Sequence, residues 1–392
     1  MMNAMRLVTS SLVVLSAVLL TAAAPRHVLT ADYWGGYAGT HNVPAERAAQ
    51  WLWLAETDPQ DTNLLAPLGV KTMLYTNPNR EMPHDPMWSD DDSEFAHTCS
   101  GGRARGESQY ANILLTNPAS AATKHLWKTS VASHFENAHF DFVFADEADG
   151  AAYAADQPCG YALGQWLRDE ASLFDSLHEP IIYNALGDFA GHDVAPEIAL
   201  NAHAAGGMME ECYAQLHPEN RVGGWRWFAT ELTELRMAAA HKYFICYGRD
   251  LTPADQAHES RMYTYASFLL SYDPATTILW EYYKTPSGGH VMPESQLVAL
   301  DPEKRVTRVA QLRERGGAYV RRYRRCFLDS KPAGPCVAAV NPDDTERSVD
   351  LRGYGRVLQL HGSGIFDGGS VSLGRAGDAG RLEPLGAVIA FK

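Results

Sequence analysis

Short apolar runs rich in β-branched and aromatic residues recur along the chain, each closed by a polar residue and followed by a helical stretch or a long loop. There are eight: His27–Tyr33, Val70–Thr76, Asn112–Thr116, Phe140–Ala145, Pro180–Tyr183, Gly206–Met209, Lys242–Tyr247 and Thr276–Trp280. Between them, helical patterning covers Pro44–Ala55, Ala119–Ala138, Gly160–Leu177, Trp227–Ala240 and Ala257–Ser271. Strands that alternate with helices build a parallel sheet, and eight such units match the size of a (β/α)8 TIM barrel. Helical patterning resumes through Ser295–Tyr323, and then the texture changes. From Cys326 onward, short alternating runs at Cys336–Val340, Arg347–Leu351, Arg356–Leu360, Val371–Leu373 and Ala387–Phe391 are broken by turn residues, the pattern of a small antiparallel β-sandwich. The expectation is an α/β chain with a barrel over 25–317 and a C-terminal β-sandwich over 318–392.

The first two dozen residues stand apart. Arg6, the apolar run Leu7–Leu20 and the small residues Thr21–Ala24 ahead of Pro25 read as a signal peptide over 1–24, with a retained N-terminal anchor as the alternative. The run is too short for a membrane span, and no later segment reaches the roughly 18 apolar residues a span needs. The expected product is secreted, extracellular or periplasmic, after cleavage.

Composition narrows the classes further. With 46% hydrophobic and 20% charged residues, the 392-residue chain can bury a sizeable core. A net charge of −14, which no basic run interrupts strongly enough to suggest a nucleic-acid face, disfavours nucleic acid as a partner. The six cysteines form an even set with no CxxC spacing, which in an oxidising compartment reads as disulfides. The expected pairs are Cys99–Cys159, Cys212–Cys246 and Cys326–Cys336, with buried free thiols as the alternative for Cys212 and Cys246.

Active sites of (β/α)8 barrels lie at the C-terminal ends of the strands, so the residues that end each strand are the candidates. The fourth strand ends in Asp146-Glu147-Ala148-Asp149-Gly150 and the sixth in Glu210-Glu211. Side chains alternate along a strand, so one of each adjacent pair faces the mouth. Asp146 and Glu210 are the expected catalytic pair, with Glu147, Asp149 and Glu211 beside them for substrate contact. Two carboxylates across a cleft suit glycoside hydrolysis, in which one protonates the departing oxygen while the other attacks carbon or activates water. The plainer reading is that they are loop acids, helix caps or ion-pair partners. Asp32, Asn77, Asn117, Asn184, Tyr247 and Glu281 could hydrogen-bond sugar hydroxyls, while Trp34, Trp280 and Tyr283 could stack on sugar faces or simply pack. The long link 77–111, placed after the second strand, would roof the cleft or form an acidic surface loop tied down by Cys99.

Other chemistries find little support. There is no HExxH, His84-Asp85 is a lone dipeptide in a loop, and the nearest approach to GxSxG, around Ser363, lacks both glycines. No metal and no nucleotide cofactor is implied.

The segment Phe140-Asp141-Phe142-Val143-Phe144-Ala145-Asp146-Glu147 resembles the "FDGVFxDD" strand of the hypothetical glycosyl hydrolase families, relatives of the endo-α-1,4-polygalactosaminidases. Leu115-Thr116-Asn117-Pro118 is similar to their "LxDP" element, Gly207-Met208-Met209-Glu210 to "GVMxE", and Val337–Pro342 to the "VLVNP" strand of their C-terminal β-domain. Two departures are Phe142 where the pattern has Gly, and Asn117 where it has Asp. The resemblance implies a TIM-barrel glycosidase with an Asp on strand four and a Glu on strand six, matched here by Asp146 and Glu210. The expected partner is a poly- or oligosaccharide, acted on by a monomer. Two rivals are a non-catalytic carbohydrate-binding or cell-surface barrel, whose paired acids would titrate normally, and a metal-dependent deacetylase, which needs a His/Asp set converging on one ion.

Overall fold

The computed structural model describes residues 26–35, 43–81, 89–106, 113–152, 154–187, 200–214, 221–248, 254–280, 291–362, 364–377 and 380–392. The expected leader, His84-Asp85, Glu281, Tyr283 and Ser363 lie outside the described residues. Eight parallel strands close into a barrel: β1 Leu29–Tyr33, β2 Leu54–Glu56, β3 Lys71–Thr76, β4 Phe142–Ala145, β5 Ile181–Asn184, β6 Gly206–Glu210, β7 Tyr243–Tyr247 and β8 Thr277–Trp280. Around them lie the long helices α1 Ala121–Asn137, α2 Leu163–Phe174, α3 Gly224–Ala239 and α4 Ala254–Ser271. No helix among the described residues is long and apolar enough to cross a membrane.

Two strand assignments exchange places. The helix expected over Pro44–Ala55 stops at Ala48, and Leu54–Glu56 is the second barrel strand, hydrogen-bonded between β1 and β3. Ala-Glu-Arg-Ala-Ala-Gln favours helix, but Leu54, Ala55 and Glu56 are all buried in the barrel wall, and that burial overrides local propensity. Conversely, Asn112–Thr116 is not a barrel strand. Among its described residues, 113–116, Leu114–Leu115 forms a strand, and it pairs antiparallel with Arg80–Glu81 above the barrel. Because one strand is gained and one lost, Phe142–Ala145 and Gly206–Glu210 keep their ranks as fourth and sixth, while the long link follows the third strand.

Alternation sorts the strand residues into two layers. Ala31, Leu54, Met73, Phe142, Phe144, Ile182, Met208, Ile245 and Ile278 fill the barrel interior. Their neighbours Val143, Ala145, Ile181, Tyr183, Phe244, Cys246 and Leu279 face the helices. Gly206 serves this packing directly, because a Cβ there would lie 2.6 Å from the Tyr243 Cβ. Tyr243 uses that space to plug the lower end of the barrel, edge-on to Phe142 with ring centroids 5.6 Å apart.

The helix expected within Ser295–Tyr323 does not form. That stretch supplies the end of a 3-10 turn at Pro293–Gln296, β9 Leu297–Pro302, a second 3-10 turn at Val309–Leu312, and the start of β10 Tyr319–Leu328. It is followed by β11 Lys331–Asn341, β12 Arg347–Ser348, β13 Arg356–His361, β14 Ser370–Arg375, β15 Arg381–Leu382 and β16 Gly386–Phe391. They form an antiparallel sheet of order β9-β10-β11-β16-β13-β14 and a small second sheet, β12-β15, giving the expected barrel-plus-sandwich class. Pairing of Leu297, Val298 and Ala299 with Leu328, Phe327 and Cys326 makes β9 the edge strand, and this ladder outweighs the helical spacing of the sequence.

The large sheet buries both faces. Val320, Val337, Ala339 and Ala390 pack under the small sheet with Val349 and Leu382. Ala338, Val340, Ile389 and Phe391 point the other way, into the core that holds Tyr265, Phe268 and Leu269 of α4. Asn341, at the end of β11, is fully buried, and its amide donates to the carbonyls of Thr345, Leu382 and Glu383 at 2.8–3.0 Å. Arg261 of α4 forms a buried ion pair with Glu294 and donates from Nη1 to the Gly362 carbonyl at 2.9 Å, which ties barrel, connector and sheet together. On the α3 side, Glu231 and Glu234 are completely buried, accepting from Ser271 and from Tyr213 Oη respectively. Arg321 of β10 reaches the same region and donates to the Leu270 and Tyr272 carbonyls. All three expected disulfides are formed: Cys99–Cys159, Cys212–Cys246 and Cys326–Cys336.

Candidate active site

Moving one inward step above the interior layer on every strand gives Tyr33, Glu56, Tyr75, Asp146, Asn184, Glu210, Tyr247 and Trp280. Below this level the barrel is filled by aliphatic and aromatic side chains, and here it becomes polar. The rings confirm a shared floor. Trp280 meets Tyr33 edge-on with centroids 5.0 Å apart, Tyr247 at 5.9 Å and Phe144 at 6.3 Å.

Asp146 is fixed from three sides. Its Oδ2 accepts from Tyr75 Oη at 2.7 Å, and its Oδ1 accepts from Asn184 Nδ2 at 2.9 Å and from the Glu147 amide at 2.9 Å. Tyr75 remains 37% exposed, so one ring both holds the carboxylate and presents a face to solvent. Such a set fixes the direction of both carboxylate oxygens.

The backbone turns abruptly just past this level. Glu147, Ala185 and Glu211 adopt left-handed φ values of 52°, 92° and 53°, immediately after Asp146, Asn184 and Glu210. Such conformations cost non-glycine residues on the order of 1–3 kcal/mol and collect where function demands a particular side-chain direction. Asp146 and Asn184 offset part of that cost by accepting from the amide of the following residue.

Glu56 is not among the residues expected from sequence, because helical propensity masks its strand. It is 5% exposed, and its Oε2 has no hydrogen-bond partner among the described residues. Together with Tyr33, Thr57, Asp58, Tyr75 and His134 it lines a cavity of about 180 Å³. Burial, reinforced by the negative charges of Asp146 and Asp58, pushes its carboxyl well above the usual range. Burial likewise raises the Tyr33 phenol, with Glu56, Tyr247, Asp146 and Glu210 adding to the effect, so one hydroxyl senses four acidic groups of this row. Counting in steps of two from Leu54 and Ala31 would have found both residues once β2 was recognised.

The remaining expected site residues are more dispersed. Asp146, Asn184, Glu210, Tyr247 and Trp280 share the mouth. Asp32 is on the opposite face of β1, where it accepts from the Tyr33 amide. Trp34 packs with Val43, Trp51 and Leu65 and donates to the Val43 carbonyl at 3.2 Å. Asn77 stands beside Glu147, and Glu147 is ion-paired with the buried Arg80. Asp149 is 3% exposed in the turn beneath, where fully buried Glu170 from α2 also lies, its carboxyl raised by burial. Glu211 occupies its left-handed position at the rim. Asn117 sits at the start of the turn before α1, accepting from the Ala119 amide, away from the inward row.

The described part of the long link is stitched to the segment after β4. Besides the Cys99–Cys159 bond, Arg105 pairs with Asp156 at 2.6 Å and the Cys159 amide donates to the His97 carbonyl at 2.7 Å. Two loops of the mouth are thus one crosslinked rim.

No protein-family model and no curated sequence relative matches the chain. Solved structures with a similar course include Aspergillus fumigatus Ega3 in complex with galactosamine, at 12% identity and a TM-score of 0.39, covering 59% of this chain and 84% of that one. The GH36 α-galactosidase AgaA of Geobacillus stearothermophilus is 10% identical with a TM-score of 0.41, covering 93% of this chain and 56% of that one. Eubacterium rectale Amy13B is 9% identical with a TM-score of 0.47, covering 94% and 96%. At these values the likenesses carry no argument about chemistry, which rests on the residues of the mouth.

Proposed function

We propose that the protein is an exported glycoside hydrolase that cleaves a poly- or oligosaccharide, with Asp146 as nucleophile or base and Glu210 as general acid/base. What supports this reading is one observation: Asp146 and Glu210 crown neighbouring-but-one strands in a single inward row, over an aromatic floor of Tyr33, Tyr247 and Trp280. Glycosidic cleavage needs a carboxylate fixed toward the anomeric carbon and a second carboxyl on the other side of the bond. The donors on Asp146 suit the first role, and its position two strands from Glu210 leaves room for a sugar ring between them. Asn184 and Tyr75 would hold Asp146 in place, and Trp280 with its neighbouring rings would meet the apolar face of the sugar.

The experiment is reducing-sugar release by the secreted protein over a panel of α- and β-linked polysaccharides, galactosamine-containing polymers included. Asp146→Asn and Glu210→Gln are run beside it. Loss of roughly 10²–10⁴-fold in kcat for each variant is the expected result. A folded protein that is retained by a glycan but cleaves none would instead be a carbohydrate-binding barrel.

A further inference from the structure

We propose that Glu56 is a substrate-contacting residue whose buried carboxyl reads a sugar hydroxyl by hydrogen bonding in the cavity it shares with Tyr33 and Tyr75. This rests on the glycosidase reading of the same mouth and adds a specificity residue to it.

The argument begins with position. Glu56 ends β2 in the inward row, between Tyr33 of β1 and Tyr75 of β3, and all three line one cavity. Tyr75 holds Asp146, so this cavity adjoins the carboxylate assigned to attack at the anomeric carbon. Glu56 is 5% exposed, yet Oε2 finds no partner among the described residues. Leaving a buried polar atom unpaired costs about 1–3 kcal/mol, which a ligand hydroxyl entering the cavity would recover.

Charge then sets the form of the carboxyl. Tyr33, Asp58 and Asp146 surround it with neutral or negative groups, and His134 is the basic side chain that lines the same cavity. A second full negative charge beside Asp146 is disfavoured, and burial acts in the same direction. An un-ionised carboxyl has one donor and one acceptor, which suits a hydroxyl that can return a hydrogen bond. It does not suit proton transfer to the leaving oxygen, which the reading above gives to Glu210 on the far side of the mouth. A site built to hydrogen-bond a substrate hydroxyl rejects the deoxy analogue strongly, so Glu56 would help decide which sugar is accepted.

The test separates this role from two others. Glu56→Gln keeps a donor and an acceptor without ionising, and Glu56→Leu keeps the volume alone. On a polymer the wild type cleaves, Glu56→Gln should stay within about threefold of wild-type kcat/KM, and Glu56→Leu should lose roughly tenfold or more, mainly through KM. Circular dichroism and thermal melting establish that both variants are folded. A Glu56→Gln protein as inactive as Asp146→Asn would overturn the proposal by making Glu56 a proton-transfer or ionised catalyst. Wild-type kinetics in Glu56→Leu would overturn it by making Glu56 a bystander. Carbon-detected NMR of carboxyl-labelled glutamates provides the independent arm, where a resonance missing from Glu56→Gln should have the shift of an un-ionised acid at pH 7. An ionised shift there also overturns it. If the wild type cleaves nothing in the panel, the glycosidase reading fails and the substrate role of Glu56 falls with it, while the NMR arm still reports whether the acid is un-ionised.

Discussion

Replacing Arg261 with Met should be one of the most damaging single changes outside the barrel mouth. Arg261 and Glu294 each expose 2% of their side chains, and the guanidinium is bidentate, with Nε donating to Oε1 at 2.9 Å and Nη2 donating to Oε2. Met fills most of the volume but leaves a buried carboxylate without its partner, which costs about 3–5 kcal/mol. Adding Glu294→Leu removes the stranded charge. The Gly362 carbonyl, which Arg261 holds at 2.9 Å, keeps His258 Nε2 at 3.0 Å as its partner. The double variant should therefore recover about 2 kcal/mol or more relative to Arg261→Met. Urea unfolding of wild type, both single variants and the double, followed by tryptophan fluorescence and far-UV circular dichroism, measures the cycle. A single-variant cost below about 1 kcal/mol, or a double-variant cost equal to the sum of the two singles, would refute the reasoning.

Two further predictions concern the interior. Burial raises Glu231 to about 8, so below its ordinary 4.5 it is protonated in both folded and unfolded chains and contributes no pH dependence. As pH rises from there toward 8 the unfolded chain releases a proton that the folded one retains, so this group lowers stability across that window. Glu231→Gln should flatten the decline in melting temperature and melt higher than wild type at pH 8, and equal slopes for the two proteins would contradict this. Asn341→Ala leaves the carbonyls of Thr345, Leu382 and Glu383 without their shared donor and should cost about 1–3 kcal/mol, measured by denaturant midpoint, with a neutral result counting against the assigned bonds.

Alternation put Asp146 and Glu210 in the inward row from sequence, because each lies two residues beyond an interior position, Phe144 and Met208. The same rule could not reach Glu56. Its strand is three residues long and follows Ala-Glu-Arg-Ala-Ala-Gln, whose propensity hides it, and only pairing with β1 and β3 makes it extended. Asn117 was misleading for the converse reason: Leu114–Leu115 is a genuine extended pair, but its partner is Arg80–Glu81 and not the barrel. Edge strand β9 is hidden by helical spacing, since its ladder partners, from Leu328 for Leu297 to Tyr323 for Pro302, lie beyond what a local pattern contains. The Cys326–Cys336 disulfide could be read because ten residues and a Pro/Gly-containing turn separate its cysteines, which the fold places on the adjacent strands β10 and β11.

Helix α4 is covered twice, by the barrel on one side and by Ala338, Val340, Ile389 and Phe391 of the sheet on the other. From Ser260 to Ser271 nearly every residue is buried, so the helix has no solvent-facing stripe to expose while it waits for a partner. As the chain emerges from its N-terminal end, the eight barrel strands are complete before the strands that cover α4 have appeared. A closed barrel without the C-terminal strands would leave the sheet-facing side of α4 uncovered, an apolar surface open to other chains. A chain cut before β11 should collapse onto other copies of itself, and light scattering of that truncated chain measures it.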